Sequence, residues 1–216
     1  MPEPAILTAL RDLAPGGAGC GWADPRLDHG LYPGEGLTGA IPSRLREFSA
    51  GRAAARAAMA EIGISPSAIP HGSNREPIWP VGVIGSITHT AAHCLAIVLP
   101  TDQFRGVGID LEEHADLERD LWPAVLHPVE RQRLEQIPQC HQPKSALTYF
   151  CAKEAVYKAQ YPITRQLLDF QDIVVSVQSG KFEAQFQCDV DAFAKHSTII
   201  GRTKVVDRHL LALATC

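Results

Sequence analysis

The stretch Gly-Val-Gly-Ile-Asp-Leu-Glu, residues 106–112, ends a short apolar run with two carboxylates two positions apart. Residues i and i+2 of an extended strand project to the same face, so Asp110 and Glu112 can point together at one hard cation such as Mg²⁺. The two glycines place no side chains beside them. The same pattern fits a strand that runs into a loop with two solvated acids, so a second feature must decide between the two interpretations.

That second feature is the segment 150–159, whose apolar residues recur at three- and four-residue spacing and predict a helix. Pro143 suits its first turn, and Pro162 is expected just beyond its end. Glu154 and Lys158 are separated by four residues and share one face of this helix. An ordinary surface salt bridge explains such a pair. On a helix otherwise poor in charge, the pair also indicates a third metal ligand with a cationic neighbour.

An Ala-rich helix pattern follows Ser43, which is the expected N-cap, and stops at Gly63. Arg52 and Arg56 lie one turn apart on it, so that one phosphate can meet both guanidinium groups. A solvated basic helix face fits the same charge pattern.

The rest of the chain predicts mainly strands and turns. The first 42 residues are rich in Gly and Pro and predict loops, apart from a short helix near 6–13 and a strand near 20–23. A charged helix is expected over 129–137, with His127 before it in a structural role. Hairpin pairs are predicted for 92–99 with 105–111, 173–177 with 182–187, and 197–206 with 209–215.

Composition limits the function without identifying it. The chain has 216 residues, of which 45% are hydrophobic, and a formal net charge of -4. This balance argues against a general nucleic-acid or anionic-membrane binder. The six cysteines show no metal-finger spacing and are expected to be reduced thiols. With no apolar run long enough to cross a membrane, we expect a cytoplasmic protein.

Taken together, these motifs resemble the surfactin-type and enterobactin-type 4'-phosphopantetheinyl transferases. Members carry a G-[IV]-D-x-E strand and then a helix of the form [FW]-x-x-K-E-[AS]-x-x-K, which here is 150–158. Ser-Ile-Thr-His-Thr at 86–90 is similar to the family's Ser/Thr-His motif. Ala-Gly-Arg at 50–52 and Arg-Glu-Pro-Ile-Trp-Pro at 75–80 resemble the enterobactin-type branch. Order and spacing agree over residues 43–162.

The resemblance implies an α+β fold with a pseudo-twofold arrangement of two similar halves, each a small, mainly antiparallel sheet packed on a long helix. We place the halves at residues 1–105 and 106–216, although no internal sequence repeat is visible. Coenzyme A is then expected in the cleft between them. Two halves in one chain predict a monomer.

The implied reaction transfers phosphopantetheine from coenzyme A to a serine of an acyl or peptidyl carrier protein, in siderophore or secondary-metabolite synthesis, and releases 3',5'-ADP. Asp110, Glu112 and Glu154 are the expected ligands of Mg²⁺, with Mn²⁺ as an alternative. Glu154, Lys158 and His89 are the expected catalytic residues. Glu154 is expected to accept the serine proton, directly or through a metal-bound water, and Lys158 to contact the pyrophosphate and to be able to protonate the leaving oxygen.

The same resemblance assigns the contacts to coenzyme A. It places Arg52 on the 3'-phosphate, Arg75 at the adenylate end, and His89 and the Thr88 hydroxyl on the pyrophosphate. Lys153 is expected to contact phosphate or Glu154. Further expected contacts come from Lys158 and Arg44. His93, four residues after His89, is expected not to take part.

Two other classes of function use some of these features. A different Mg²⁺-dependent phosphoryl enzyme, such as a pyrophosphatase, needs the acids but not basic groups in three separate segments. A non-catalytic module that binds coenzyme A or a carrier protein has no need of the acids and Lys158. The chain has neither a Walker A loop nor G-x-G-x-x-G, so nothing supports binding of ATP or a dinucleotide.

Overall fold

Two antiparallel sheets, each packed on a long helix, make up the α+β fold in the computed structural model, which describes residues 3–216. The helices are α1 (Ala5–Leu13), α2 (Pro42–Glu61), α3 (Trp122–Val125), α4 (Pro128–Glu135) and α5 (Gln142–Thr164). The strands are β1 (Gly19–Ala23), β2 (Val83–His89), β3 (Cys94–Pro100), β4 (Val107–Glu113), β5 (Ile173–Gln178), β6 (Lys181–Phe186), β7 (Thr198–Val206) and β8 (His209–Thr215). No helix within 3–216 is long and apolar enough to cross a membrane.

The first sheet has the order β1-β3-β2 and packs on α2. Its central strand, β3, is buried along almost its whole length because one face packs on α2 and the other on α1 and β4. Both edges of β3 are paired, with β1 and β2. The predicted hairpin between β3 and β4 is therefore wrong. An apolar run marks a buried strand, but it does not specify the neighbours of that strand.

The second sheet has the order β4-β8-β7-β6-β5 and packs on α5. The two hairpins predicted in this half, β5 with β6 and β7 with β8, are confirmed. Since β4 pairs with β8, the strand that carries Asp110 and Glu112 is the edge of this sheet that faces β2. The chain passes from one sheet to the other between Pro100 and Val107.

The two helix-sheet contacts are built in the same way. Gly21 of β1 lies against the backbone carbonyl of Ala54 on α2, and a Cβ at this glycine would overlap that carbonyl oxygen. Gly108 of β4 lies against the carbonyl of Ala155 on α5 with the same lack of space. Gly19 and Gly106 repeat the arrangement one helical turn along. This repeated contact supports the expected pair of similar halves. The sequence alone showed no such repeat.

The helix ends differ in part from the predicted ones. Helix α2 begins at Pro42, one residue before the predicted N-cap Ser43, and Ile41 is its N-cap. Gly63, with φ +75°, follows its end as predicted, since glycine adopts this conformation without strain. Pro162 lies inside α5 rather than beyond it. The last turn continues because Arg165 N–H donates to the carbonyl of Tyr161.

We predict that Gly21→Ala lowers the free energy of unfolding by about 3 kcal/mol, because its methyl group must displace the backbone of α2. Chemical denaturation would measure the loss. Gly16→Ala is the matched control, since nothing lies within 4 Å of a Cβ at this exposed position. Equal stability of the two variants would contradict the close packing of β1 on α2.

Candidate active site

The site lies at the seam where the two sheets meet. The hydroxyl of Ser86 on β2 accepts a hydrogen bond from Ile109 N–H at 3.0 Å, and that of Thr88 accepts one from Leu111 N–H at 3.1 Å. Side-chain oxygens therefore accept the hydrogen bonds of backbone N–H groups at this edge of β4, in place of the carbonyls of a paired strand. Between these two bonds, Asp110 is held in a fixed position at the seam.

Asp110 is 4% exposed and forms an ion pair with Lys158 of α5. The Lys158 ammonium group lies 2.6 Å from Asp110 Oδ1 and also donates to the carbonyl of Ile109 at 3.1 Å. Burial by itself lowers the pKa of Lys158, but the charge of Asp110 and its hydrogen bond outweigh burial, so that the pKa is raised. Asp110 Oδ2 is buried and has no hydrogen-bond partner within residues 3–216.

Two more carboxylates share this environment. Burial, together with the charges of Asp110 and Glu154, raises the pKa of Glu112 to about 7, although Lys158 acts in the opposite direction. Burial and the charge of Asp110 also raise the pKa of Glu154, against the effect of Lys158. Three carboxylates therefore face one ammonium group in a partly dry site, which leaves negative charge uncompensated.

The donor set is chemically suited to a hard divalent cation. All three groups offer oxygen, and the buried Asp110 Oδ2 lacks a partner. In this arrangement no three His, Cys, Asp or Glu side chains of the described chain converge closely enough to hold a metal ion together. One cation bound by all three carboxylates would therefore need them to lie closer together.

His89, at the end of β2, lies half-buried beside this cluster. Arg44 Nη1 lies 2.9 Å from His89 Nε2, and Glu47 Oε2 lies 3.9 Å from the same nitrogen. Because arginine can only donate, Nε2 accepts and the ring proton is on Nδ1. Burial and the charges of Arg44 and Lys158 lower the pKa of His89, against the opposite effect of Glu47 and Asp110. The imidazole is thus a neutral hydrogen-bond donor.

Arg52 is a buried cation without a carboxylate partner in the described chain. Its Nε donates to the carbonyl of Ile69 at 2.9 Å, and its guanidinium carbon lies 3.8 Å from the centroid of the Phe48 ring. One terminal nitrogen, Nη2, is buried and has no hydrogen-bond partner within residues 3–216. Burial lowers the pKa of Arg52 to about 10. A buried guanidinium with an unused donor suits an anion.

Arg56 does not share this role, so the sequence interpretation that one phosphate meets both arginines is wrong. Its guanidinium is paired with Glu35, at 2.7 Å and 2.9 Å to the two carboxylate oxygens, and donates to the carbonyl of Gly30. Glu35 also accepts from Ile69 N–H. Arg56 therefore fastens the loop around residue 35 to α2.

A cavity of about 530 Å³ opens beside the carboxylates. Its lining includes His89, Thr90, Glu112, Asp116, Leu117 and Leu147. A larger cavity, of about 850 Å³, lies between residues 13–16 and the open face of β6 and β7, and none of the predicted site residues lines it.

Comparison with known sequences identifies the family. The profile described as the 4'-phosphopantetheinyl transferase superfamily matches residues 106–214, about half of the chain. The chain belongs to this superfamily. The profile described as the 4'-phosphopantetheinyl transferase N-terminal domain matches residues 34–99.

Several curated members of the superfamily are similar to it. The 4'-phosphopantetheinyl transferase Npt of Nocardia iowensis is 38% identical over 67% of this chain and 65% of its own length. The 4'-phosphopantetheinyl transferase PptT of Mycobacterium tuberculosis is 37% identical over 69% and 68%. Enterobactin synthase component D of Salmonella typhi is 38% identical over 57% and 51%. The chain thus spans about two thirds of the first two relatives and half of the third.

One solved structure is more distantly similar. The holo-[acyl-carrier-protein] synthase of Thermotoga maritima aligns with a TM-score of 0.39 and 19% identity. The alignment covers 52% of this chain and 62% of that one.

Lys153 does not lie where the superfamily motif suggested. Its ammonium group is 1% exposed and pairs with Glu130 of α4 at 2.8 Å, and it also donates to the carbonyls of Val125 and Phe170. The predicted contact with phosphate or Glu154 is wrong because adjacent helix residues point in different directions. Lys153 instead ties α5 to α4 and to the chain before β5.

Thr88 also has a different role from the predicted one. It is 4% exposed, and its hydroxyl lies 3.4 Å from Asp110 Oδ1 besides accepting from Leu111 N–H. The hydroxyl is therefore engaged within the protein, not presented to a pyrophosphate. The sequence did not predict that Ser86 shares this role with Thr88. Hydroxyls at i and i+2 lie on one face of a strand, and this signal could have indicated that both contact a neighbouring sheet.

Arg75 is exposed in a turn with φ +67°. His93 accepts a hydrogen bond from Trp22 Nε1 at 3.1 Å and packs on the ring of His209. His127 caps α4 by accepting from a backbone N–H, which confirms its structural role.

We predict that Lys153→Met lowers the free energy of unfolding by about 3–5 kcal/mol, because it leaves the buried charge of Glu130 without its partner. Thermal or chemical denaturation would measure the loss, with Lys144→Met as the control for an exposed lysine of α5. Normal stability of Lys153→Met together with weakened binding of coenzyme A would instead favour a contact of Lys153 with phosphate.

Proposed function

We propose that this chain is a 4'-phosphopantetheinyl transferase that moves the phosphopantetheine of coenzyme A to a serine of an acyl or peptidyl carrier protein. The observation that carries the proposal is the pairing of Lys158 with Asp110 beside Glu112 and Glu154, in a chain of this superfamily. Acids and a cation in one partly buried cluster suit phosphoryl transfer, where positioning and charge neutralisation supply most of the catalysis.

The bonds that change are two P–O bonds. The serine oxygen of the carrier forms a bond to the phosphorus of the phosphopantetheine group, and the bond from that phosphorus to the oxygen of 3',5'-ADP breaks. The serine proton passes to Glu154. Glu154 is a partly buried carboxylate beside Asp110 and Lys158, which supports its assignment as the general base.

Lys158 and His89 would act on the pyrophosphate. The raised pKa of Lys158 keeps the ammonium charged, so we assign it a steady positive charge beside the leaving phosphate rather than the donation of a proton. Nδ1–H of neutral His89 would donate a hydrogen bond to a pyrophosphate oxygen. Arg44 holds the ring in the required tautomer through Nε2.

Asp110, Glu112 and Glu154 would hold Mg²⁺ or Mn²⁺, as their oxygen donors and uncompensated charge suggest. A bound cation would polarise the pyrophosphate oxygens and offset the charge that develops on the leaving group. Thr88 and Ser86 fix the strand that carries two of these ligands.

The nucleotide end of coenzyme A would lie on the first half of the chain. The unused Nη2 donor of Arg52 supports a contact with the 3'-phosphate, and the exposed Arg75 supports a contact at the adenylate end. Arg44, which donates a hydrogen bond to His89, would lie near the pyrophosphate.

The carrier protein, the oligomeric state and the cellular location complete the proposal. The similarity to enterobactin synthase component D supports a carrier protein of siderophore synthesis. The division into residues 1–105 and 106–216, the monomeric state and the cytoplasmic location stay predictions.

The proposed reaction predicts a mass increase. An apo acyl or peptidyl carrier protein incubated with coenzyme A, Mg²⁺ and this chain should gain one phosphopantetheine by intact-mass spectrometry. Glu154→Ala or a chelator should abolish the gain, since each removes a group that the transfer needs. Glu135→Ala, at an exposed glutamate of α4, should leave it unchanged. No gain on several unrelated carriers, despite binding of coenzyme A, would favour a binding module instead.

A second prediction concerns Arg52. Arg52→Met should weaken binding of coenzyme A about tenfold or more, because it removes hydrogen bonds from a charged donor. The variant also loses the Nε hydrogen bond to the carbonyl of Ile69, a cost that removal of the unpartnered Nη2 partly offsets, so the melting temperature is measured alongside. Isothermal titration calorimetry would measure the affinity, with 3'-dephospho-coenzyme A as the matched ligand. An equal loss for both ligands would place Arg52 away from the 3'-phosphate.

A further inference from the structure

A loop of the first half is fastened to the end of the long helix of the second half. We call residues 71–77 the latch loop. Asn74 Nδ2 donates to the hydroxyl of Tyr161 at 2.6 Å, and Arg165 Nη1 donates to Glu76 Oε1 at 2.8 Å. Tyr161 belongs to the last turn of α5, and Arg165 is its C-cap. Both bonds cross between the two halves of the fold.

The latch loop is also braced internally. Gly72 N–H donates to the carbonyl of Glu76 at 2.8 Å, and Asn74 N–H donates to Glu76 Oε2 at 3.1 Å. A Cβ at Gly72 would overlap the Glu76 carboxylate, so the loop closes tightly around this side chain. The carboxylate of Glu76 thus holds the turn and, through Arg165, the neighbouring helix.

Arg75 is the residue between the two cross-half contacts. Its backbone has φ +67°, in the left-handed region that costs a non-glycine residue free energy. Such a conformation persists where the surroundings determine it, and here the residues on either side are both bonded to α5. The exposed guanidinium of Arg75 is therefore carried on a strained and well-braced backbone.

The other end of the latch loop adjoins the buried cation of α2. The ring of His71 lies edge-on to Phe48, with centroids 6.3 Å apart, and Arg52 stacks on this same phenylalanine. Arg52 also donates to the carbonyl of Ile69, just before the loop. The loop therefore connects the unpaired donor of Arg52 to the end of α5.

We propose that Tyr161 and Arg165 are positioning residues for binding of the nucleotide end of coenzyme A. They hold the latch loop, and through it Arg75, in the place where it meets the adenylate and its phosphates. This inference rests on the proposed function. It assigns to the last turn of α5 a part in nucleotide binding, in addition to the chemistry at Glu154 and Lys158.

The test measures binding of 3',5'-ADP and of coenzyme A by isothermal titration calorimetry. Tyr161→Phe and Arg165→Met should each weaken both ligands about fivefold, the effect of one lost hydrogen bond. KM for coenzyme A should rise by the same factor while kcat stays unchanged. Arg208→Met is the matched control, since Arg208 is also an exposed arginine with positive φ.

A double-mutant cycle with Arg75→Ala separates positioning from general structural damage. If the latch acts through Arg75, Tyr161→Phe and Arg165→Met should have no further effect on binding in the Arg75→Ala background. Equal losses in both backgrounds, or no loss in either, would overturn this inference alone. Failure of the unaltered chain to bind 3',5'-ADP or coenzyme A would overturn the proposed function as well.

Discussion

The hydrogen bonds from Ile109 N–H and Leu111 N–H to the hydroxyls of Ser86 and Thr88 are the constraint on which the site depends. These bonds pair the backbone N–H groups at the free edge of β4 without a neighbouring strand. Two separate sheets can therefore meet there. The meeting line is dry enough to bury Asp110, and the ion pair with Lys158 then ties α5 to the same line. Strand, helix and neighbouring sheet are thus joined at one carboxylate.

Burial of these carboxylates is unfavourable, and the protein neutralises their charge only in part. Removing water from Asp110, Glu112 and Glu154 raises the free energy of their charged forms, and one ammonium group cannot balance three carboxylates. On α2, Arg52 is buried without an acid partner among residues 3–216. These opposite imbalances make the folded chain less stable than a neutral core would, and both suit an anionic substrate bound with a divalent cation.

The sequence predicted the helices of the site and the hairpins of the second half because their periodicity and turn residues are local signals. It also predicted Asp110, Glu112, Glu154 and Lys158 as one group through spacing and family resemblance, and the structure pairs Lys158 with Asp110. It could not assign β4 to its neighbours, because strand pairing is non-local. It also misplaced Lys153, since a motif written along the chain does not show that this lysine projects into the core beside Glu130.

The repeated glycine packing also allows similar halves to carry different charges. Counted from the contacts of Gly21 with Ala54 and of Gly108 with Ala155, Ala23 takes the position of Asp110, and Ala53 and Ala57 take those of Glu154 and Lys158. The first half keeps the contact that joins helix to sheet but has none of these three charged groups. Since packing of the glycines does not depend on these positions, charge could differ between the halves without a change of fold.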